Sequence, residues 1–397
     1  MNEHPALGQV ALGVAPMIDR QRAVSATRLT VFPLRPDAPP DAAALMAALA
    51  ETWPAAAPQR LLLNLANEAL LRGALALVPP AQVMLEVPAF LAADPQLEWA
   101  LRALHARGCT LLLSGRAAQA LPPTVLGCFR QTIVELDDER RGLHTAGQPG
   151  ARSMGFVQAG VTRFSEVEEA FGRGAAAVLG WPLEEPLGQG RGKAAAPDLK
   201  VIVELMKRVD RMEAIDRLEA VLKNDPTLAF RLVRYINSAA FGLRVEIGSF
   251  RHAIMMLGYE KLKRWLALLL ASASSDPNLK PVLFAAVLRG LFMEELVRAS
   301  GDEQRRSELF ICGVFSLLDC LLAQPLEQLM ASIPVPQHVV DALVHASGPY
   351  RPYLEIVQAV EQASAFDLRE AAERMMLSIA EVNRALLRAL AAAQQLD

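Results

Sequence analysis

Residues 224–258, NDPTLAFRLVRYINSAAFGLRVEIGSFRHAIMMLG, decide the reading of the fold, because helix and turn signals coincide there. Asp225 is placed to cap a helix that begins at Pro226, whose missing N–H costs nothing at a first helical position. Ala229, Leu232, Val233 and Ile236 then fall on one face of that helix. Asn237, Ser238 and Gly242 break it, and a short extended piece over 245–247 follows. Ser249 is placed to cap a second helix carrying Ile254 and Leu257, with Gly258 to stop it. Two helices meeting at an angle are expected.

Downstream of this stretch almost everything reads as helix. The candidates are 262–270, 282–299, 309–322, 326–331, 338–346, 354–363 and 368–393, and no fixed-period repeat links them, so a single helical domain is expected and not a solenoid. Immediately upstream, Ile215, Leu218, Val221 and Leu222 share one face of a helix ending near Asn224. Further back the composition changes: PLGQGRGKAAAP, residues 186–197, is rich in Gly and Ala, and Lys193 is the first lysine of the chain. Its GQGRG run, 188–192, lacks the GK[ST] ending of a phosphate loop and reads as linker.

Ahead of the linker, short β-type runs alternate with helical segments. Candidate strands are 29–32, 60–65, 83–87, 109–113, 132–136, 153–157 and 176–179, with helices such as 95–107 and 165–172 between them. This alternation argues for parallel strands in βα units, and about seven such units suit either a barrel or an open doubly wound sheet. The expected division is 1–186 for the β/α domain, 187–198 for the linker and 199–397 for the helical domain.

Composition bounds the function. With 397 residues the chain is long enough for two or three domains, of which two are read here. Its 40 Lys+Arg against 43 Asp+Glu leave a net charge of -3, which offers no general attraction to nucleic acid. Cys109, Cys128, Cys312 and Cys320 lie far apart without a CxxC pair and read as buried thiols in a reducing compartment. The start of the chain has no basic region before its apolar residues, and no uncharged run approaches the roughly 18 residues a membrane span needs. A cytoplasmic protein without membrane insertion is expected. The run 260–269, basic on one side and apolar on the other, reads as a core helix with solvated Lys and Arg before it reads as a membrane or partner helix.

The stretch DPTLAFRLVRYINSAAFG followed by SFRHAIMMLG resembles the signature of HDOD domains, helical relatives of HD-type phosphohydrolases. The resemblance continues through FICGVFSLLD, residues 310–319, and covers 199 onward. The first half resembles an EAL domain, the barrel that hydrolyses cyclic di-GMP, in LLLNLANEALL (61–71), VMLEVPAF (83–90) and QAGVTRFSEVEEAFGRGAAAVLGWPLEEPL (158–187). The last of these is similar to the closing AEGVET…QGY…P segment of that family. The combination resembles bacterial two-domain EAL–HDOD signalling proteins, and it implies a degenerate EAL-type (β/α) barrel followed by an all-helical HDOD domain.

An EAL site needs carboxylates and an Asn at strand ends to hold the divalent metals that activate water. By the resemblance, Asn64 matches the family's Asn and Glu86 the first Glu of its ELTE-like strand. The signature Glu belongs in the strand around 28–32, yet no acidic residue lies between Asp19 and Asp37. None lies between Glu98 and Glu135 either, where paired aspartates are expected, and no lysine precedes Lys193. In the helical half none of the six histidines is followed by Asp, and Ser316 and Leu317 stand in place of the His-Asp dyad. His252, His338 and His345 could serve a metal only if folding gathered them with carboxylates. No catalytic, cofactor-binding or metal residue is therefore assigned beyond the vestigial candidates Asn64 and Glu86, and no cofactor is expected. The implied function is a non-enzymatic adaptor whose partners are other signalling proteins. The alternative is an effector that binds cyclic di-GMP or another nucleotide without hydrolysing it.

Overall fold

Eight strands close into a barrel in the first half of the chain, which resolves the choice between barrel and open sheet. The computed structural model describes residues 4–53, 59–115, 121–140, 154–184, 196–223, 250–271, 276–333 and 335–394. The strands are β1 (Val10–Asp19), β2 (Val24–Pro33), β3 (Arg60–Leu65), β4 (Val83–Pro88), β5 (Leu111–Ser114), β6 (Phe129–Glu135), β7 (Phe156–Ala159) and β8 (Ala177–Leu179). β1 runs antiparallel to both neighbours, β2 and β8, and every other pairing is parallel. The connecting helices are α1 (Ala42–Thr52), α2 (Glu68–Leu75), α3 (Ala89–Ala92), α4 (Glu98–Ala106), α5 (Pro123–Leu126), α6 (Leu136–Arg140) and α7 (Phe164–Gly172).

The expected strand at 60–65 has those bounds, and the others shift by a few residues at their ends. β1 was not expected at all. The turn after it is built by Asp19, whose carboxylate accepts from the backbone N–H of Gln21 and Ala23 at 2.9 Å each. Inside the barrel Met17, Ala26, Leu62, Met84, Leu112, Ile133, Val157 and Leu179 form an apolar plug drawn from all eight strands. Burying a side chain of this size contributes about 1.5–3 kcal/mol, so the plug holds the strands in register.

The helical elements that follow are α8 (Ala196–Asp210), α9 (Ile215–Lys223), α10 (Phe250–Ala271), α11 (Lys280–Leu296), α12 (Glu303–Phe315), α13 (Leu318–Leu322), α14 (Leu326–Ser332), α15 (Gln337–Leu343), α16 (Arg351–Glu361), α17 (Ala365–Arg374) and α18 (Ile379–Ala393). The helix expected from Pro226 and the cap expected at Ser249 lie outside the described residues, as do the GQGRG run and most of the linker. Gly258 acts as expected: with φ 70° and ψ 172° it kinks α10, a conformation that a side chain would disfavour. The run 260–269 lies in α10 as a core helix, with Leu262, Trp265, Leu266 and Leu269 buried. Two expected helices are divided. The 309–322 segment breaks between α12 and α13, and 368–393 breaks between α17 and α18, where Met376 takes φ 54°.

Packing separates the chain into two compact units, Met1–Glu185 with Glu355–Leu387, and Pro186–Leu354 with Arg388–Asp397. In the first, the buried Asn383 amide of α18 donates to the carbonyls of Leu7 and Val10, at 2.8 and 2.7 Å. Gly13 of β1 lies so close to Ala363 that a Cβ there would meet Ala363 Cβ at 2.6 Å. In the second unit, the Glu294 carboxylate of α11 accepts both guanidinium nitrogens of Arg264, at 2.8 and 2.6 Å, and one of Arg306 at 3.0 Å. Among the described residues no helix is long and apolar enough to cross a membrane.

Candidate functional site

Side chains alternate between the two faces of a strand, so the residues two positions beyond the apolar plug also face the barrel interior. Toward the carboxyl ends of the parallel strands these are Arg28 on β2, Asn64 on β3, Glu86 on β4, Ser114 on β5 and Glu135 on β6. This rim is where β/α barrels place their chemistry. Fold closure thus brings the two residues singled out from sequence, Asn64 and Glu86, onto adjacent strands of one rim, where Leu63 pairs with Leu85 just before them.

The residue that sequence reading missed is Arg28. Its Nε donates to Glu86 Oε2 at 2.8 Å and its Nη2 to Oε1 at 2.7 Å, so both carboxylate oxygens of Glu86 are engaged by one planar cation. Glu86 is 3% exposed. A bidentate pair of this kind is both stronger and more directional than a single charged hydrogen bond. The available signal was a lone arginine in β2, in a strand where the resemblance implies an acid and none is found.

Glu135 completes the polar rim. Burial pushes its carboxyl above the ordinary range, the charge of Arg28 opposes that shift, and Glu86, Asp138 and Asp137 add to it. Ala159 on β7 supplies only a methyl group.

These residues do not fit a divalent metal. Hard cations take six or more oxygen ligands, several of them carboxylate, whereas here the most buried carboxylate is saturated by a guanidinium that would repel the incoming ion. Among the described residues no group of three or more His, Cys, Asp or Glu could hold a metal.

In the helical unit, Ser316 and Leu317 are the residues that the resemblance sets against a His-Asp dyad. Ser316 Oγ accepts from Arg289 Nη1 at 2.9 Å and donates to the Gly313 carbonyl at 2.7 Å, and Leu317 beside it is buried. Arg289 is itself buried. Among the described residues no metal-holding cluster includes a histidine: His338 packs against Tyr350 edge to face at 5.6 Å, His345 is exposed, and the side chain of His252 lies outside the described residues. None of the four cysteines is in a disulfide, and the expectation that all are buried holds for Cys128 and Cys312 but not for the half-buried Cys109 and Cys320. Burial raises the thiols of Cys312 and Cys320 to about 12, Cys320 with help from the adjacent Asp319, so neither is poised as a nucleophile.

Comparison with known proteins bears on both units. Residues 196–330 match the HDOD domain family. The chain is 25% identical over 346 residues to the cyclic di-GMP phosphodiesterase CdgJ of Vibrio cholerae, which covers 85% of this chain and 79% of CdgJ. It is 29% identical over 143 residues to the uncharacterized protein YuxH of Bacillus subtilis, 35% of each chain. Among solved structures it is similar to Klebsiella pneumoniae BlrP1 in a calcium and cyclic di-GMP complex, with a TM-score of 0.31, 16% identity, and coverage of 47% of this chain and 57% of that one. It is also similar to the Pseudomonas aeruginosa FimX EAL domain bound to cyclic di-GMP, with a TM-score of 0.32, 14% identity, and coverage of 46% and 93%. The architecture agrees with the expected one in its order: a closed eight-stranded barrel, then a helical region within which residues 196–330 match the HDOD family.

Proposed function

We propose that this chain is a non-catalytic, cytoplasmic adaptor in cyclic di-GMP-related signalling, acting through contacts with other signalling proteins. The observation that carries the reading is the Arg28–Glu86 pair, which takes the acid best placed to hold a metal out of play. CdgJ, similar along most of this chain, is a cyclic di-GMP phosphodiesterase, which supports the pathway; the lack of any acid between Asp19 and Asp37 supports loss of the reaction. The HDOD match supports an output made of protein contacts. Exposed Met212, Met255 and Met256 suit such contacts, since methionine surfaces adapt to a partner. The Tyr259 hydroxyl, donating to the Glu213 carbonyl at 2.8 Å, ties together the two segments that carry them.

Titration calorimetry with cyclic di-GMP, with and without magnesium, tests this reading. No binding heat and no shift in melting temperature are expected for the full chain. Saturable binding that disappears in Asn64→Ala or Glu86→Ala would replace the adaptor with a nucleotide-sensing effector.

A further inference from the structure

Within the reading just proposed, the barrel rim holds a more specific feature than the absence of acids. Arg28 and Glu86 stand on β2 and β4, with β3 and its Asn64 between them. Two strand spacings separate the backbones by roughly 10 Å, a gap that a long side chain must cross for the two to meet. Arginine has that reach, and its fork matches a carboxylate in both directions. Its register neighbour on β1 is Ala15, small enough to leave the guanidinium room. Below lies the apolar plug, which offers no polar group and no route for an ion. The cation therefore stands over an apolar floor, against a carboxylate whose side chain is 4% exposed.

We infer that Arg28 is a resident cation: its guanidinium occupies the seat between Glu86 and the β2–β3 side of the rim that a divalent metal would otherwise take, and it keeps metal out of this barrel. Two properties follow. Charge balance at the rim does not depend on any ion in solution, and whatever contacts the rim must do so without a bridging metal. The Arg28–Glu86 pair thereby neutralises itself without a metal ion, as suits a scaffold read by other proteins.

The test uses the full chain and manganese alone, followed by calorimetry and by the electron paramagnetic resonance of bound manganese. Arg28→Glu sets a second carboxylate across β3 from Glu86, with Asn64 between them. It is expected to raise manganese affinity on the order of 10–100-fold over wild type, and Arg28→Glu/Glu86→Gln is expected to lose that gain. Arg28→Lys, which keeps the charge, is expected to gain nothing. If folded Arg28→Glu binds manganese no better than wild type, the seat is not a metal seat and this inference fails, while the non-catalytic reading stands. If wild type binds manganese and Glu86→Gln abolishes it, both fail together. Should Arg28→Glu not fold, Arg28→Ala gives an independent result. Methylguanidinium is expected to raise its melting temperature and to leave Arg28→Ala/Glu86→Gln unchanged, and no rise would overturn the inference.

Discussion

Glu135 shows how much of the rim depends on single charges. Its carboxyl is raised chiefly by burial, so the folded chain holds that proton more tightly than the unfolded chain does. The stability this contributes is fully present below the ordinary carboxylate range and is lost as pH rises through the raised value. Glu135→Gln is therefore expected to melt above wild type at neutral pH, with the difference closing as the pH falls into the ordinary carboxylate range. A difference that stays constant with pH would contradict the assignment. Asn64 and Glu86 were legible as rim residues because short motifs surround them. The Arg28–Glu86 pair was not, because the partners are 58 residues apart and meet only when the barrel closes in register. That β2 holds no acid was visible in the sequence, but the pairing of its arginine with Glu86 was not.

Among the elements, β1 was hidden by its own composition. Gly13 and Pro16 interrupt its apolar run, and both residues lower the expectation of a strand. Strands such as β3 were legible because Leu61, Leu62, Leu63 and Leu65 form a run bounded by polar residues, as a strand buried on both faces should. The helices were found in type but joined too far. Periodicity continues across 368–393, and the left-handed turn at Met376 leaves no mark on it. The contact of α11 with α12 rests on two glycines. A Cβ at Gly313 would lie 2.5 Å from the backbone nitrogen of Gly290, and one at Gly290 would lie 2.8 Å from the Phe310 carbonyl oxygen. Backbone cannot give way as a side chain can, so Gly313→Ala is expected to lower stability by about 1–3 kcal/mol or more in denaturant unfolding. Gly172→Ala at the end of α7, where nothing lies within 4 Å of an added Cβ, is the matched control and is expected to cost nothing. Equal effects at the two sites would contradict this account of the crossing.

At the scale of the whole molecule, the division read from composition kept 199–397 together, whereas packing groups Glu355–Leu387 with the barrel residues. Composition could not show this, because those helices look like their neighbours and the contacts that tie them to the barrel residues, such as Asn383 bonded to the carbonyls of Leu7 and Val10, form only on folding. The HDOD match likewise stops at residue 330. The proposed function rests at this scale on one arrangement in each unit: Arg28 pairs with Glu86, and Arg289 bonds Ser316, which the resemblance sets against a His-Asp dyad. Turnover of cyclic di-GMP by the purified full chain, with magnesium or manganese supplied, tests this most directly. No linear product is expected above the level of a no-protein control, and turnover that Glu86→Ala abolishes would contradict it.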